Sequence, residues 1–192
     1  GYSLARNSGT DGYIRSMIAS RFPITRSTSW LGWVDLRAFG YSNANNNLDN
    51  FTRDLFEAQM TAPGFPRPLH VFTAHLKATG TNYADSAAKR AAEAAAITNF
   101  FATNLFVLYP FDPYALTGDM NDSDTNAVAL QRLFSPLTGL KLTNPKNPVT
   151  GSINTYSIQG SLSGRLDYIF PNGLLFSNVK TSQVFRTDLL NP

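Results

Sequence analysis

The chain has 192 residues, with 16 Lys or Arg and 13 Asp or Glu, so its formal charge is +3. Hydrophobic residues make up 43% and charged residues 15%, which excludes a disordered chain and predicts a domain with a sizeable core. Cysteine is absent, which excludes disulfides, thiolate zinc sites and cysteine nucleophiles. No apolar run approaches the ~20 residues of a membrane-spanning helix, and no basic-then-apolar leader opens the chain.

The groups that can serve acid–base or metal chemistry are few. Glu57 and Glu93 are the only glutamates, His70 and His75 are the only histidines, and every other acidic residue is aspartate. The pI of 9.3 allows an anionic partner without requiring one, because the basic residues are scattered. Low lysine with many Asn, Thr and Ser is typical of exported bacterial proteins, so we expect a secreted bacterial protein.

The first fifty residues are predicted to contain strands joined by polar loops. Gly1–Gly12 is rich in small polar residues and indicates a loop. Tyr13–Ala19 and Ser29–Phe39 are interpreted as strands, and Pro23 ends the pairing of the first. Tyr41–Asn50 is dense in Asn and indicates an exposed loop.

The middle of the chain predicts a hairpin and then a long helix. Asp54–Thr61 alternates with a period of two, and we expect it to pair with a strand at Leu69–Leu76 across a turn at Pro63–Pro66. Ala84–Leu105 is rich in Ala and has apolar residues at helical spacing, which predicts a helix outside a sheet. The residues expected in its buried stripe are Ile97, Phe100, Phe101 and Leu105.

Shorter elements follow. Tyr114–Thr117 is predicted to be a short buried strand and Thr125–Phe134 a second helix. Leu166–Phe170 and Val179–Arg186 are interpreted as two closing strands. No repeat or internal linker interrupts the pattern, so we predict one α+β or layered α/β domain over residues 1–192.

The two histidines lie on one predicted strand. Positions 70 and 75 differ by an odd number, so His70 and His75 face opposite sides of the sheet and are not expected to act together. His75 lies nearer the end of the strand, and Lys77 shares its face. A hydrogen-bonded structural histidine is the favoured interpretation of either residue taken alone, and His70 keeps that interpretation.

Two aspartates lie at the ends of other strands. Gly118 allows a tight turn after which Asp119 and Asn121 project together, an arrangement that suits either a phosphate-ester site or a simple turn. Asp167 begins an apolar strand beside Arg165, so on the residues alone a salt bridge is favoured there.

Together these segments resemble one family. "FTAHLKA", the long helix with Arg90 and Glu93, "LTGDMND" and "RLDYIF" occur in the order and rough spacing of the endonuclease/exonuclease/phosphatase superfamily, which has the deoxyribonuclease-I-like fold. "MIASRFPI" resembles the strand that precedes the histidine motif in that family. The resemblance extends from about Gly12 to Asp188. It implies a four-layer α/β sandwich of the α+β class, with mostly antiparallel sheets packed face to face and helices outside.

The resemblance also implies a reaction, phosphoester hydrolysis assisted by Mg²⁺ or Mn²⁺, or by Ca²⁺. It implies that Asp119 binds the metal and orients the attacking water, while Asn121 holds the phosphate. It implies that His75 stabilises the phosphoryl oxygens or assists the leaving group, and that Asp167 orients a closing histidine. We expect the substrate to contact Asn121, Lys77 and Arg21.

Parts of the family pattern have no counterpart in this sequence. An upstream Asn, a metal-holding Glu in a Gln-Glu pair and a closing Ser-Asp-His motif are missing. Glu57 lies in the wrong strand and Glu93 lies in mid-helix, so neither is assigned as the metal ligand. We therefore interpret residues 1–192 as a single partial domain with an incomplete sandwich, and we expect it to be inactive or nearly inactive alone.

Several substrates fit this family. A nuclease-like phosphodiesterase is favoured, with a phosphomonoesterase, a sphingomyelinase-like lipid phosphodiesterase or an inactive binding module as alternatives. A nucleic-acid surface needs a basic stripe. Arg15, Arg21, Arg26 and Arg37 can supply one, but they fit ordinary surface charges equally well. We expect a monomer without a membrane span.

Overall fold

The computed structural model describes residues 1–7, 13–43, 49–156 and 162–184. The strands are β1 (Ser3–Arg6), β2 (Met17–Ser20), β3 (Ile24–Ser29), β4 (Leu55–Met60), β5 (Leu69–Ala74), β6 (Tyr114–Asp119) and β7 (Asp167–Pro171). The α-helices are α1 (Tyr83–Phe100), α2 (Phe106–Leu108), α3 (Val128–Leu133) and α4 (Gly173–Phe176). A 3-10 turn covers Leu36–Phe39, and a π-helical turn over Phe101–Leu105 joins α1 to α2.

Five strands form the central sheet, in the order β3-β4-β5-β6-β7. The pairing of β5 with β6 is parallel and the other pairings are antiparallel. A parallel pairing needs a long crossover, and the segment containing α1 supplies it. The predicted hairpin is confirmed, because β4 and β5 pair antiparallel with Phe56 opposite Thr73. β1 and β2 form a separate antiparallel pair.

The central sheet is covered on both faces. One face packs against the helices through a core that includes Leu55, Phe72, Leu116, Ile97 and Phe101. The other face packs against the two-stranded sheet, and its core members are Ala5, Ile18, Phe56, Ala58 and Met60. Helices, a five-stranded sheet and a two-stranded sheet thus form successive layers, which confirms the predicted α+β sandwich.

The long helix α1 forms where the sequence predicts it. Asn82 caps its first turn by accepting a hydrogen bond from the Asp85 N–H at 3.1 Å. All four apolar residues expected to be buried lie in the core, with Ile97 and Phe101 fully buried, Leu105 at 2% exposure and Phe100 at 5%. The helical run Tyr83–Leu108 is long and apolar enough to cross a membrane by length and composition, and half of its most apolar window is buried inside the domain.

The segment between β3 and β4 differs from the prediction. Ser29–Phe39 is not a strand, because β3 ends at Ser29 and a 3-10 turn follows at Leu36–Phe39. The Asp35 carboxylate accepts a hydrogen bond from the Arg37 N–H at 2.9 Å and so starts the turn. Gly40 has a φ of 87° and ends it. These local hydrogen bonds prevail over the aromatic alternation that suggested a strand.

Three other boundaries also shift. The strand predicted at Tyr13–Ala19 begins only at Met17, and the second helix spans Val128–Leu133. Of the closing segment Val179–Arg186, residues 179–184 contain an isolated bridge from Gln183 to Lys146, and the rest lies outside the described residues. The short helix α4 was not predicted. It starts because the Asn172 side chain accepts a hydrogen bond from the Leu175 N–H at 3.0 Å.

Candidate active site

Three strand ends meet at one edge of the central sheet. Since β5 and β6 are parallel and β7 is antiparallel to β6, the ends of β5 and β6 lie beside the start of β7. Asp119 and Asp167 are direct partners across β6 and β7. The His75 Nε2 atom lies 3.6 Å from the Asp119 Oδ2 atom, and both side chains are partly exposed. The structure therefore brings the four predicted catalytic residues, His75, Asp119, Asn121 and Asp167, to one place.

Gly118 makes the approach of β6 to β5 possible. Its φ is 132°, and a Cβ atom there would lie 1.9 Å from the carbonyl oxygen of Ala74. No L-residue with a side chain fits this position without backbone movement. The glycine thus sets the distance between the two strand ends that carry His75 and Asp119.

Asn121 adopts a left-handed conformation, with a φ of 51°. Its backbone N–H donates to Asp119 Oδ1 at 2.8 Å, and its side-chain Nδ2 donates to the Leu76 carbonyl oxygen at 3.0 Å. The turn interpretation of the Asp-x-Asn motif thus applies, because Asp119 and Asn121 form a local turn that also ties β6 to the segment after β5. The Asn121 side-chain amide has a second N–H, which is a donor that can bind a phosphate oxygen.

The electrostatics of Asp119 depend on its neighbours. Burial raises the pKa of the Asp119 carboxyl group above its ordinary value, and the Asp167 carboxylate adds to this effect. The Asn121 N–H and the charges of His75 and Arg53 act in the opposite direction, but the pKa stays raised. A carboxylate with a raised pKa is a better proton acceptor at neutral pH than an ordinary aspartate.

Sequence reasoning missed one cation at this site. Arg53 donates from Nη1 to the Leu76 carbonyl oxygen at 3.0 Å, and its charge acts on Asp119. The register of the β4–β5 hairpin indicates the position of Arg53, because Leu55 lies opposite Ala74. A residue just before β4 therefore lies beside the residues just after β5.

The two cations predicted to bind substrate, Lys77 and Arg21, lie in different parts of the structure. Lys77 is half-buried two residues after His75, and its backbone N–H is bonded to Glu93. Arg21 precedes β3, whose first residue Ile24 pairs with Met60 at the end of the sheet away from His75. The Arg21 guanidinium donates to the Tyr2 hydroxyl at 3.3 Å. Arg21 is thus not part of the cluster around Asp119.

The comparisons with known proteins give the fold. No family model and no curated protein matches the chain. Among solved structures, sphingomyelinase C from Streptomyces griseocarneus matches at 17% identity with a TM-score of 0.54, over 82% of this chain and 52% of that one. The human nocturnin catalytic domain matches at 13% identity with a TM-score of 0.59, over 90% of this chain and 61% of that one.

A third structure carries the family's name. The endonuclease/exonuclease/phosphatase family protein from Leptotrichia buccalis matches at 16% identity with a TM-score of 0.55, over 90% of this chain and 59% of that one. The chain has the deoxyribonuclease-I-like fold. The resemblance inferred from the motifs is therefore confirmed at the level of the fold, and this chain spans between 52% and 61% of the length of these three structures.

The described residues offer few ligands for the metal that this fold family implies. Asp119 and Asp167 provide a facing pair of carboxylates. Among the described residues, no group of three or more acidic or histidine side chains is arranged to hold a metal ion. Mg²⁺ and Ca²⁺ need about six oxygen ligands or more, with waters filling the remainder. The described residues therefore do not form a complete metal centre, and the assignment of Asp119 as a metal ligand stays a prediction.

The second histidine belongs to a different cluster. His70 is fully buried, with Nδ1 2.5 Å from Glu57 Oε1 and Nε2 3.1 Å from Asp112 Oδ2. Both ring nitrogens therefore lie within hydrogen-bond distance of carboxylate oxygens. Arg26 and Trp30 also donate to Glu57. His70 is thus a structural residue, as interpreted from the sequence.

A cavity of about 310 Å³ opens beside the candidate site. It lies between α1 and α3 and is lined by Tyr83, Asp122, Asp124, Val128 and several alanines. It does not include His75, and Asp122 within it lies 3.4 Å from the Arg90 guanidinium. The cavity therefore borders the site without containing its reactive groups.

Proposed function

We propose that the protein is a phosphoester hydrolase, with phosphodiesters as the favoured substrates, and that its site is formed by His75, Asp119, Asn121 and Asp167. The observation that carries the proposal is the 3.6 Å contact of His75 Nε2 with Asp119 Oδ2 at the edge where Asp167 pairs with Asp119. The likeness of the fold to a sphingomyelinase and to an endonuclease/exonuclease/phosphatase family protein supports it.

Each residue has a role that its chemistry allows. The ionised Asp119 carboxylate orients a water molecule and accepts its proton. The His75 imidazole, when protonated, neutralises charge on the phosphoryl oxygens or gives a proton to the leaving oxygen. The second N–H of the Asn121 amide donates to a phosphoryl oxygen. Asp167 adds negative charge that favours protonation of Asp119.

A divalent cation is part of the proposal only by resemblance. Mg²⁺ or Mn²⁺ is the expected ion, with Asp119 as one ligand, and it would supply charge neutralisation at the phosphate. Because the described residues do not complete its coordination, no step of the mechanism is derived through it.

The experiment below decides which groups are esterified to the phosphate in the substrate. A nuclease-like substrate would need cations along a track. Two of the four arginines considered for it have other partners, since Arg26 pairs with Glu57 and Arg37 pairs with Asp35. Nucleic acid therefore remains one arm of the test rather than the conclusion.

The experiment compares the wild-type chain with Asp119→Asn and with the matched control Asp35→Asn, which alters an exposed carboxylate outside the site. The substrates are bis-p-nitrophenyl phosphate, plasmid DNA and sphingomyelin vesicles, with Mg²⁺, Mn²⁺ or chelator, under enzyme excess. Because the chain alone is expected to be nearly inactive, we expect slow turnover of at least one substrate, lost in Asp119→Asn and unchanged in Asp35→Asn.

A second measurement separates an enzyme from a binding module. Inorganic phosphate is titrated into ¹⁵N-labelled protein, and the signals of His75 and Asn121 are followed. Phosphate-dependent shifts without turnover would identify the inactive binding module. If the wild-type protein showed no phosphate-dependent shifts and no turnover, the proposed function would be contradicted.

A further inference from the structure

The segment that carries His75 is held by side chains. His75–Lys77 continues past the end of β5, where the strand pairing stops. The Leu76 N–H donates to the Asp119 carbonyl oxygen at 3.0 Å. The Leu76 carbonyl oxygen accepts from Arg53 and from Asn121, each at 3.0 Å. The position of this segment therefore depends on the groups that bond to its backbone.

The next peptide group is bonded by two residues of α1. The Lys77 N–H donates to Glu93 Oε2 at 2.7 Å, and the Lys77 carbonyl oxygen accepts from Arg90 Nη1 at 3.2 Å. Arg90 and Glu93 are three residues apart, so they project from the same face of the helix. Each is only 1% exposed. Both side chains therefore point inward at Lys77 rather than out to solvent.

Glu93 also interacts with a second segment. The Thr52 N–H acts on this carboxylate in the direction that lowers its pKa. Thr52 directly precedes Arg53, whose guanidinium reaches the Leu76 carbonyl oxygen. One buried carboxylate thus joins the two chain segments that bring Arg53 and His75 to the site.

The burial of this carboxylate is costly. Burial raises the pKa of Glu93 to about 7, against the opposing effects of the Lys77 N–H and of the charges on Lys89 and Arg53. An apolar residue at this position in an Ala-rich helix would avoid that cost. It would, however, leave the N–H groups of Lys77 and Thr52 without their acceptor.

We propose that Glu93 is a positioning residue, which holds the His75 segment and the Arg53 segment in place against Asp119 through the N–H groups of Lys77 and Thr52. Its effect on catalysis rests on the proposed function, whereas the anchoring can be measured without any substrate.

The test compares two variants of similar size. Glu93→Gln keeps an oxygen acceptor, and Glu93→Met removes it. Hydrogen exchange of the Lys77 and Thr52 amides is measured by NMR, with kcat and KM where turnover is found. Since leaving a buried donor without its acceptor costs about 1–3 kcal/mol, we expect exchange of both amides to be about 5- to 150-fold faster in Glu93→Met. We expect Glu93→Gln to restore most of the protection, and kcat to fall with little change in KM in Glu93→Met alone.

The control is Glu57→Gln, which changes the other buried glutamate, in the His70 cluster. It should leave exchange at Lys77 and Thr52 unchanged, and so separate local anchoring from general loss of stability. If Glu93→Met does not fold, Glu93→Asp, shorter by one methylene, should show the same local increase. If the Lys77 amide of a folded Glu93→Met or Glu93→Asp variant exchanged at the same rate as in the wild type, the proposal would be overturned. Absence of turnover in the wild type would count against the proposed function, and the exchange rates would still decide the anchoring.

Discussion

At the scale of single residues, Gly118 determines how closely β5 and β6 approach. We expect Gly118→Ala to lower the free energy of unfolding by several kcal/mol, because its Cβ atom would lie 1.9 Å from the Ala74 carbonyl oxygen and the φ of 132° disfavours any side chain. The measurement is urea unfolding followed by tryptophan fluorescence. Gly173→Ala is the control, since a Cβ atom there meets nothing within 4 Å. Equal stability of the two variants would contradict this account of Gly118.

Asp119 gives a second prediction, about pH. Its raised pKa means that the ionised carboxylate is less favourable in the folded than in the unfolded protein. The stability that the protonated Asp119 carboxyl group contributes is present below the ordinary pKa of aspartate and is lost as the pH rises through the raised pKa. We therefore expect Asp119→Asn, which keeps an oxygen for the Asn121 N–H, to gain stability relative to the wild type as the pH rises from 3 to 7. Urea unfolding at several pH values measures the difference, and a difference independent of pH would refute the prediction.

At the scale of elements, α1 contacts the central sheet through Phe100, whose ring packs on Phe72 of β5. The centroid of the Phe100 ring lies 4.8 Å from that of the Trp30 ring and 5.9 Å from those of the Phe72 and Phe101 rings. We expect Phe100→Ala to cost about 3–5 kcal/mol of unfolding free energy, because it opens a cavity among these rings. Phe176→Ala, at a position that is 42% exposed, is the control and should cost much less. An unchanged melting temperature for Phe100→Ala would show that this helix face is not part of the core.

The elements also show what the sequence can predict. The hairpin, α1 and the strand ends at Asp119 and Asp167 follow from local alternation, helical spacing and turn residues, so they were predicted. The turn at Leu36–Phe39 and the inward direction of Glu93 were not. They depend on side chains bonding to backbone groups, in the case of Glu93 across sixteen residues of chain. A periodic pattern contains no information about such partners.

At the scale of the whole molecule, the His70 cluster connects elements far apart in sequence. His70 on β5 joins Glu57 on β4 to Asp112 before β6, and Arg26 on β3 donates to the same glutamate. The cluster therefore links most strands of the central sheet through buried charges. Breaking a buried ion pair by removing one partner costs about 3–5 kcal/mol, because the other charge remains without compensation.

The last prediction concerns the acid stability that this cluster confers. Burial alone would raise the pKa of Glu57, but hydrogen bonds from His70 and Trp30 and the charges of His70 and Arg26 hold it below the ordinary value. A lowered pKa contributes stability that is present above the ordinary value of 4.5 and is lost as the pH falls through the lowered one. We expect His70→Leu to lose about 3–5 kcal/mol at pH 7 and progressively less below pH 4, because protonation of Glu57 relieves its buried charge.

The matched control for that prediction is His75→Leu, which removes the other histidine of the same chain segment. His75 is partly exposed and faces one partly exposed carboxylate, so its loss should cost less stability at pH 7. Urea unfolding of both variants and the wild type between pH 3 and pH 8 gives the comparison. A loss for His70→Leu that is small at pH 7, or that grows as the pH falls, would show that His70 does not compensate the buried carboxylates.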